Sequence, residues 1–444
     1  MNYTSFLLQN PWRKGNFPQD TSIKRDIFAD FLKDIDNNEI TVVTGSRQVG
    51  KTTLLKSVIS KLLQSEVVPS AIFYFNLDDE NLHSYFNNYS DFIDFIHSEH
   101  TGFSYIFIDE AQRLKNPGLF LKLLYDLKLD MKIVVSGSSS LELKAKTSEH
   151  LTGRKHSFEL YPFCFEEFLS LKKVDFYSKK SVDSLIKFHG SALNTLLAEF
   201  ITYGGYPKPL LAETAELRII ELKEIYDSYI KKDVKDFLKI DNISGYNNLI
   251  KALAYQIGNL INYNELSLTS GLNIATVRKY IDYLEGTYIF KRISPSFSNA
   301  RKEISKSPKI YGHDTGLMNY ITNSIHQGIE NRGNTIENFV FSEMIKKGLE
   351  VKFWRTGSGS EIDFVVNSIP VEVKFSFLKK TTLPKSYFSY CNKYQPDFGL
   401  LLNPNLRTER KINEKPVYFF PLWAVPKVLD WLMVKDWKGG LAET

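Results

Sequence analysis

Cysteine is nearly missing from this 444-residue chain: Cys164 and Cys391 are the only two, and they lie far apart. Neither a disulfide scaffold nor a cysteine metal cage can be built from such a pair, and a reducing compartment fits it. Uninterrupted apolar runs of membrane-spanning length are absent as well. The opening MNYTSFLLQNPWRKGN lacks the charged start, long apolar core and small-residue cleavage site of a secretory signal. The expectation is a cytoplasmic protein with no membrane partner. A strong excess of one charge sign is also lacking. Lys and Arg number 56 against 51 Asp and Glu, mixed along the chain, for a net +5. That permits a nucleic-acid partner without arguing for one. What is abundant is aromatic, at 14% of residues. Hydrophobic content of 43% and charged content of 24% suit a globular chain. Its length calls for two or three domains.

The stretch that organises the chain is ITVVTGSRQVGKTTLLKSVI, residues 40–59. An apolar strand-type run leads into Gly45, Ser46, Arg47, Gln48, Val49, Gly50, Lys51, Thr52 and Thr53. A helical pattern with Leu54, Leu55, Val58 and Ile59 on one side follows. This is the P-loop pattern G-x-x-x-x-G-K-[ST] between a strand and a helix. Gly45 and Gly50 let the backbone curl so that N–H groups converge on phosphate oxygens, and the helix adds its positive end. Lys51 reaches the β- and γ-phosphates, and the Thr52 hydroxyl can ligate Mg²⁺. ATP and Mg²⁺ are the expected cofactors.

Before the loop, residues 1–37 read as a polar entry and one helix carrying Ile27, Phe28, Phe31, Leu32 and Ile35, with Trp12 and Arg25 structural. After it, residues 71–77 and 103–108 read as strands, the second ending in Asp109-Glu110. An acidic pair at the end of a buried strand calls for cationic partners. Asp109 would hold Mg²⁺, largely through water, and Glu110 would activate the attacking water. Residues 119–127 read as a helix and 131–135 as a strand, followed by Ser136-Gly137-Ser138-Ser139-Ser140. Ser136 or Ser138 suits a sensor of the γ-phosphate or attacking water, although serines before LELKAK equally suit a helix N-cap. Arg154, in LTGR before a strand at 156–160, is either a surface residue or a neutraliser of transition-state charge, in its own subunit or from a neighbouring copy. A homo-oligomer is therefore among the expected assemblies.

The set GSRQVGKT, FIDEAQ, SGSS, LTGR and LYPFCFEEFL resembles prokaryotic AAA+-type ATPases whose C-terminal half is an uncharacterised, nuclease-like domain. The resemblance implies a Walker A loop at Lys51 and Thr52 and a Walker B pair at Asp109 and Glu110. It also implies a sensor at Ser136 or Ser138 and an arginine at Arg154. Tyr203-Gly204-Gly205-Tyr206-Pro207 is similar to a GGYP-type turn of the same family, and could face the nucleotide or a domain interface.

Residues 171–260 read as mostly helical. Residues 263–293, YNELSLTSGLNIATVRKYIDYLEGTYIFKRI, read as helix, turn, second helix and the start of a wing. DNA is the expected partner of this winged-helix pattern. Arg278 and Lys279 on the second helix, with Arg301 and Lys302 in the basic stretch that also holds Lys291, Arg292, Lys306 and Lys309, would make the contacts. Protein packing is the alternative use of such a module.

The end of the chain carries Glu337 on a helix at 335–347, Asp363 on a strand at 361–366, and Glu372-Val373-Lys374 on a strand at 371–375. Strand residues two apart share a face, so Glu372 and Lys374 point together, away from Val371, Val373 and Phe375. Such acids suit Mg²⁺ or Mn²⁺, with Asp363 and Glu372 as ligands. The order helix-Glu, strand-Asp, Glu-x-Lys resembles the PD-(D/E)xK nuclease core, except that Glu361-Ile362 precedes Asp363 where a proline is usual. The resemblance gives Glu337, Asp363 and Glu372 metal-side roles and makes Lys374 the catalytic lysine.

The expected fold is α/β: a P-loop parallel sheet with flanking helices over 1–170, a helical and winged-helix region over 171–322, and a restriction-endonuclease-like α/β domain over 323–444. The expected function is an ATP-hydrolysing protein whose nucleotide state gates DNA engagement by the C-terminal region. The alternatives are an ATP-dependent scaffold or switch, and a winged-helix regulator with an inactive nuclease fold.

Overall fold

The computed structural model describes residues 2–17, 23, 25–137, 151–229, 242–296, 303, 306–328 and 333–433. The chain divides into two compact units, Met1–Tyr161 and Pro162–Thr444.

In the first unit β1 (Ile40–Gly45), β2 (Ile72–Asn76), β3 (Ser104–Asp109), β4 (Met131–Gly137) and β5 (Lys155–Leu160) form a parallel sheet in the order β2-β3-β4-β1-β5. Every residue of β1 and β4 is buried. This is why those stretches read as continuous apolar runs: a parallel sheet is covered on both faces. Phe73, Phe75, Ile106, Ile108, Phe92 and Leu121 belong to one core cluster.

The N-terminal segment differs from expectation. Its entry is itself helical, over Tyr3–Gln9 and the 3₁₀ turn Pro11–Lys14, ahead of the expected helix at Phe28–Asp34. Side chains of this entry bond the outer edge of β2. The Asn10 amide accepts from the Tyr74 N–H (2.8 Å) and donates to the Tyr74 carbonyl (2.9 Å). Gln9 accepts from the Asn76 N–H, and Trp12 and Arg13 donate to the Ile72 carbonyl.

At the N-terminal end of the sheet a lysine interrupts the apolar run of β4. The Lys132 amine is fully buried. It donates to the carbonyls of Asp34 (2.6 Å) and Glu39 (2.7 Å) and to Asn37 Oδ1 (2.7 Å). The Asp34 carboxylate, 3.6 Å from that amine, also accepts from Thr41 and bonds His156.

In the second unit β6 (Phe290–Ile293) and β7 (Lys309–Gly312) form an antiparallel pair after the helices Ile243–Tyr255, Tyr263–Ser270 and Ile274–Gly286. Gly271 ends the second of these helices at φ 67°, a conformation that favours glycine. The helix Gly333–Lys346 follows. Then β8 (Lys352–Arg355), β9 (Glu361–Val366), β10 (Ile369–Val373), β11 (Gly399–Asn403), β12 (Thr408–Ile412) and β13 (Lys415–Pro421) build a mixed sheet in the order β12-β13-β11-β10-β9-β8. β10, β11 and β13 run parallel. The expected strand at 371–375 stops early. The Lys374 N–H still donates to Leu402, but Phe375 is 51% exposed and does not share the buried face of Val371 and Val373.

The Tyr203–Pro207 turn serves the packing of this unit. Gly204 sits at φ 75°, and the Gly205 N–H donates to the buried Asp314 carboxylate (2.6 Å), which also caps Leu317 (2.8 Å). A Cβ on Gly204 would lie 2.1 Å from Asp314 Oδ1.

Candidate functional sites

The P-loop joins β1 to the helix Lys51–Gln64. Gly45 is required by its neighbour as well as by curl: a Cβ there would lie 2.1 Å from the Leu160 carbonyl oxygen on β5. Gln48 (φ 61°) and Gly50 (φ 98°) take left-handed conformations that turn the loop. Arg25 fastens it from outside, donating to the carbonyls of Val49 (2.9 Å) and Tyr161 (2.6 Å). The first turn of the P-loop helix carries no acid, which leaves its positive end favourable to an anion. Lys51 is buried and donates to the carbonyls of Gly45 (3.0 Å) and Ser46 (2.7 Å), beside the same helix start. Ser46 and Val49 are buried, while Thr53 is exposed.

Asp109 closes β3 in full burial and collects three hydroxyls. Thr52 donates at 2.6 Å, Tyr74 donates at 2.9 Å, and Ser136 donates to the other carboxylate oxygen. Hydroxyl and carboxylate oxygens converging beside a P-loop are the donor set that a Mg²⁺–nucleotide complex uses. Tyr74 was not foreseen. Burial, with the charge of Asp109, drives its phenol pKa far above the ordinary value, so it stays a neutral donor. Nothing in AIFYFNL marks it, because its reach to Asp109 depends on the pairing of β2 with β3. Glu110 holds a left-handed backbone at φ 58°, and its carboxylate accepts from Gln112. A non-glycine residue so placed at a strand end is typical of a strained functional position. Ser138 lies outside the described residues.

Arg154 requires a correction to the expectation of action within its own subunit. Its carbonyl accepts from the Ile40 N–H at the start of β1, whereas the P-loop begins at Gly45, the strand's other end. That separates them by roughly 17 Å of strand. Its guanidinium pairs with Asp126 (3.0 Å). A surface arginine paired with Asp126 and a neutraliser at a neighbouring copy's nucleotide are the two readings that remain.

In the second unit Glu337, Asp363, Glu372 and Lys374 come together. Lys374 Nζ donates to Glu372 Oε1 (2.6 Å), and the Val373 N–H donates to Asp363 Oδ2 (2.8 Å). Burial and the charge of Asp363 push Glu337 up to about 7 and Glu372 up to about 8. Burial also raises Asp363, against the Val373 N–H and the charges of Lys309 and Lys374. Glu372 Oε2 is buried with no hydrogen-bond partner among the described residues. An orphaned carboxylate oxygen among like charges fits a hard divalent cation. The ligand atoms of the three acids do not all close to within 4.8 Å of one another. Two residues beyond the expected set join the cluster. Lys309 pairs with Glu337 (3.5 Å) and Glu361, and Tyr311 donates to Glu337.

Of the expected DNA contacts, Arg278 and Lys279 are exposed on the helix Ile274–Gly286, with the Arg278 guanidinium 3.9 Å over the Tyr263 ring. Arg301 and Lys302 lie outside the described residues. The basic stretch beside them is thinner than its composition suggests. Arg292 is committed to Asp282 (2.6 Å) and Glu285, and Lys309 is buried in the acid cluster.

Strand order, loop and acid pair together make the first unit a P-loop α/β domain, and residues 37–169 match a family model described as an AAA domain. Residues 194–327 and 332–425 match two models described as domains of unknown function, DUF8612 and DUF4143. An uncharacterized protein of Haemophilus influenzae is 26% identical over 78% of this chain and 85% of its own length. An uncharacterized protein of Methanocaldococcus jannaschii is 28% identical over 78% of this chain and 75% of its own. Among solved structures, a Walker-type ATPase of Pyrococcus abyssi aligns with a TM-score of 0.47 and 13% identity, covering 69% of this chain and 97% of that one. Among the described residues no helix is long and apolar enough to cross a membrane.

Proposed function

We propose that this chain binds and hydrolyses ATP·Mg²⁺ through its first unit, and that nucleotide state governs engagement of DNA by its second unit, which carries a PD-(D/E)xK-type site. In the first unit Lys51 and the loop N–H groups hold the phosphates. Thr52 and Asp109 hold the magnesium ion, Glu110 orients the attacking water, and Ser136 links Asp109 to the strand beside it. Arg154 serves a neighbouring copy. In the second unit the three-helix and hairpin arrangement is read as a winged helix, with Arg278 and Lys279 on DNA phosphates or bases. Asp363 and Glu372 would hold a divalent cation, which when bound supplies an activated water and charge stabilisation at a scissile phosphate. Lys374, fixed by Glu372, positions that water.

The observation that carries the nuclease-like reading is the orphaned, buried Glu372 Oε2 among Asp363, Glu337 and Lys374. The test is cleavage of single- and double-stranded DNA with Mg²⁺ or Mn²⁺, with and without ATP. Cleavage that is lost in Asp363→Ala and altered in Lys51→Ala supports an ATP-gated nuclease. No cleavage, with ATP turnover intact, refutes cutting. The tight Lys374–Glu372 pair (2.6 Å) favours, as a second reading, an ATP-dependent scaffold or switch in which this pair is only a salt bridge of the sheet. In that case the Glu372→Ala, Lys374→Ala double variant keeps the protein's nucleotide-dependent binding behaviour.

A further inference from the structure

The acid cluster contains a lysine that does not belong to the sheet carrying it. Lys309 comes from β7, in the stretch matched by a different family model from that covering Asp363 and Glu372. It is 2% exposed, its amine lies 3.5 Å from Glu337 Oε1, and it also pairs with Glu361. Two residues on, and therefore on the same strand face, Tyr311 is fully buried and donates its hydroxyl to the same Glu337 oxygen. The Tyr311 ring stacks on Phe341, one turn along the Glu337 helix, with centroids 4.6 Å apart. Glu337 is thus held by two groups of the hairpin, while Glu372 Oε2 has no hydrogen-bond partner among the described residues. A buried ammonium beside two carboxylates supplies the charge compensation that a second cation would otherwise give.

We propose that Lys309 is a fixed counter-cation of the acid cluster, positioned with Tyr311 on Glu337, so that the site takes one divalent cation on Asp363 and Glu372 and leaves Glu337 outside the ion's ligands. The proposal rests on the reading of this cluster as a cation site. It makes the hairpin strand part of the site: Lys309 is a positioning residue that sets how many ions enter and which acids hold them.

The test is Mn²⁺ binding to the full-length, nucleotide-free protein by calorimetry and electron paramagnetic resonance, counting only the binding lost in Asp363→Asn. The wild type is expected to bind one ion. Glu337→Gln is expected to keep that ion with an affinity within about threefold, because the group altered is not a ligand. Lys309→Met, which removes the charge and keeps the length, is expected to admit a second ion, and its thermal midpoint should rise with Mn²⁺ by more than that of the wild type. Lys309→Arg should stay at one. Loss of the ion in Glu337→Gln, or one unchanged ion in Lys309→Met, overturns the proposal while leaving the cation site standing. Absence of any Asp363-dependent ion in the wild type overturns the cation-site reading itself. If Lys309→Met does not fold, Glu337→Gln alone decides.

Discussion

Replacing Lys132 by Met should unseat the end of the sheet remote from the P-loop. The two side chains are close in volume, so no cavity term enters. What changes is polar. Three acceptors, the buried carbonyl of Asp34, the part-buried carbonyl of Glu39 and the part-buried Asn37 amide oxygen, lose an ionised donor at 2.6–2.7 Å. The Asp34 carboxylate also loses the cation 3.6 Å away. Counted separately, three charged hydrogen bonds at about 1.5–3 kcal/mol each would exceed the whole effect, because they share one desolvated amine. Breaking a buried pair from one side costs about 3–5 kcal/mol, and that is the expected loss. A domain's stability is about 5–15 kcal/mol, so the variant should fold but marginally. The assay is denaturant unfolding of the full chain, following the transition that a non-hydrolysable ATP analogue shifts. Adding Asp34→Asn should recover part of the loss, since the remaining charge is then gone. A cost under about 1 kcal/mol would refute the reasoning, for it would mean that the amine is replaced by water at little penalty.

Gly204→Ala should destabilise the second unit by more than about 2 kcal/mol. It combines a left-handed backbone with a Cβ only 2.1 Å from Asp314 Oδ1, and thermal melting would read the loss. The acid cluster should make both stability and ion binding depend on pH. Glu337 and Glu372, raised from 4.5 to about 7 and about 8, bind more protons folded than unfolded. The second unit therefore loses stability as pH rises from 4.5 through these values, while Mn²⁺ binding strengthens over the upper part of that window. Melting curves that are flat over this range, or Mn²⁺ binding that weakens, would contradict the burial of these acids. Arg278→Ala with Lys279→Ala should weaken DNA binding and flatten its salt dependence by about two counter-ions, leaving ATP turnover unchanged. Loss of turnover would show that the helix Ile274–Gly286 serves packing instead.

Much of the first unit was legible because its chemistry is local. The loop from Gly45 to Thr52, the strand ending in Asp109 and the helix after Lys51 each follow from adjacent residues. The Glu372–Lys374 pair was legible from strand alternation, although the end of β10 before Phe375 was not, since that depends on where β11 stops supporting it. Tyr74, Lys309 and Tyr311 were not legible as site residues. Each reaches an acid distant in sequence through strand or helix packing that no local pattern records. Lys309 and Arg292 read as free basic charge because composition counts lysines and arginines without their partners. Lys132 was hidden inside an apolar run that predicts a strand correctly while saying nothing of the carbonyls awaiting its amine.

The side chains of Gln9, Asn10, Trp12 and Arg13 occupy the hydrogen-bonding row on the outer side of β2. That row is where another molecule's strand would otherwise add itself. The segment from Tyr3 to Lys14 therefore works as a stopper, built of side chains instead of a sixth strand. A version of the protein starting after Lys14 would keep its loop and acids yet present an open, aromatic-rich strand margin to its neighbours. Its expected failure is association through that strand margin, with the P-loop and its acids left in place.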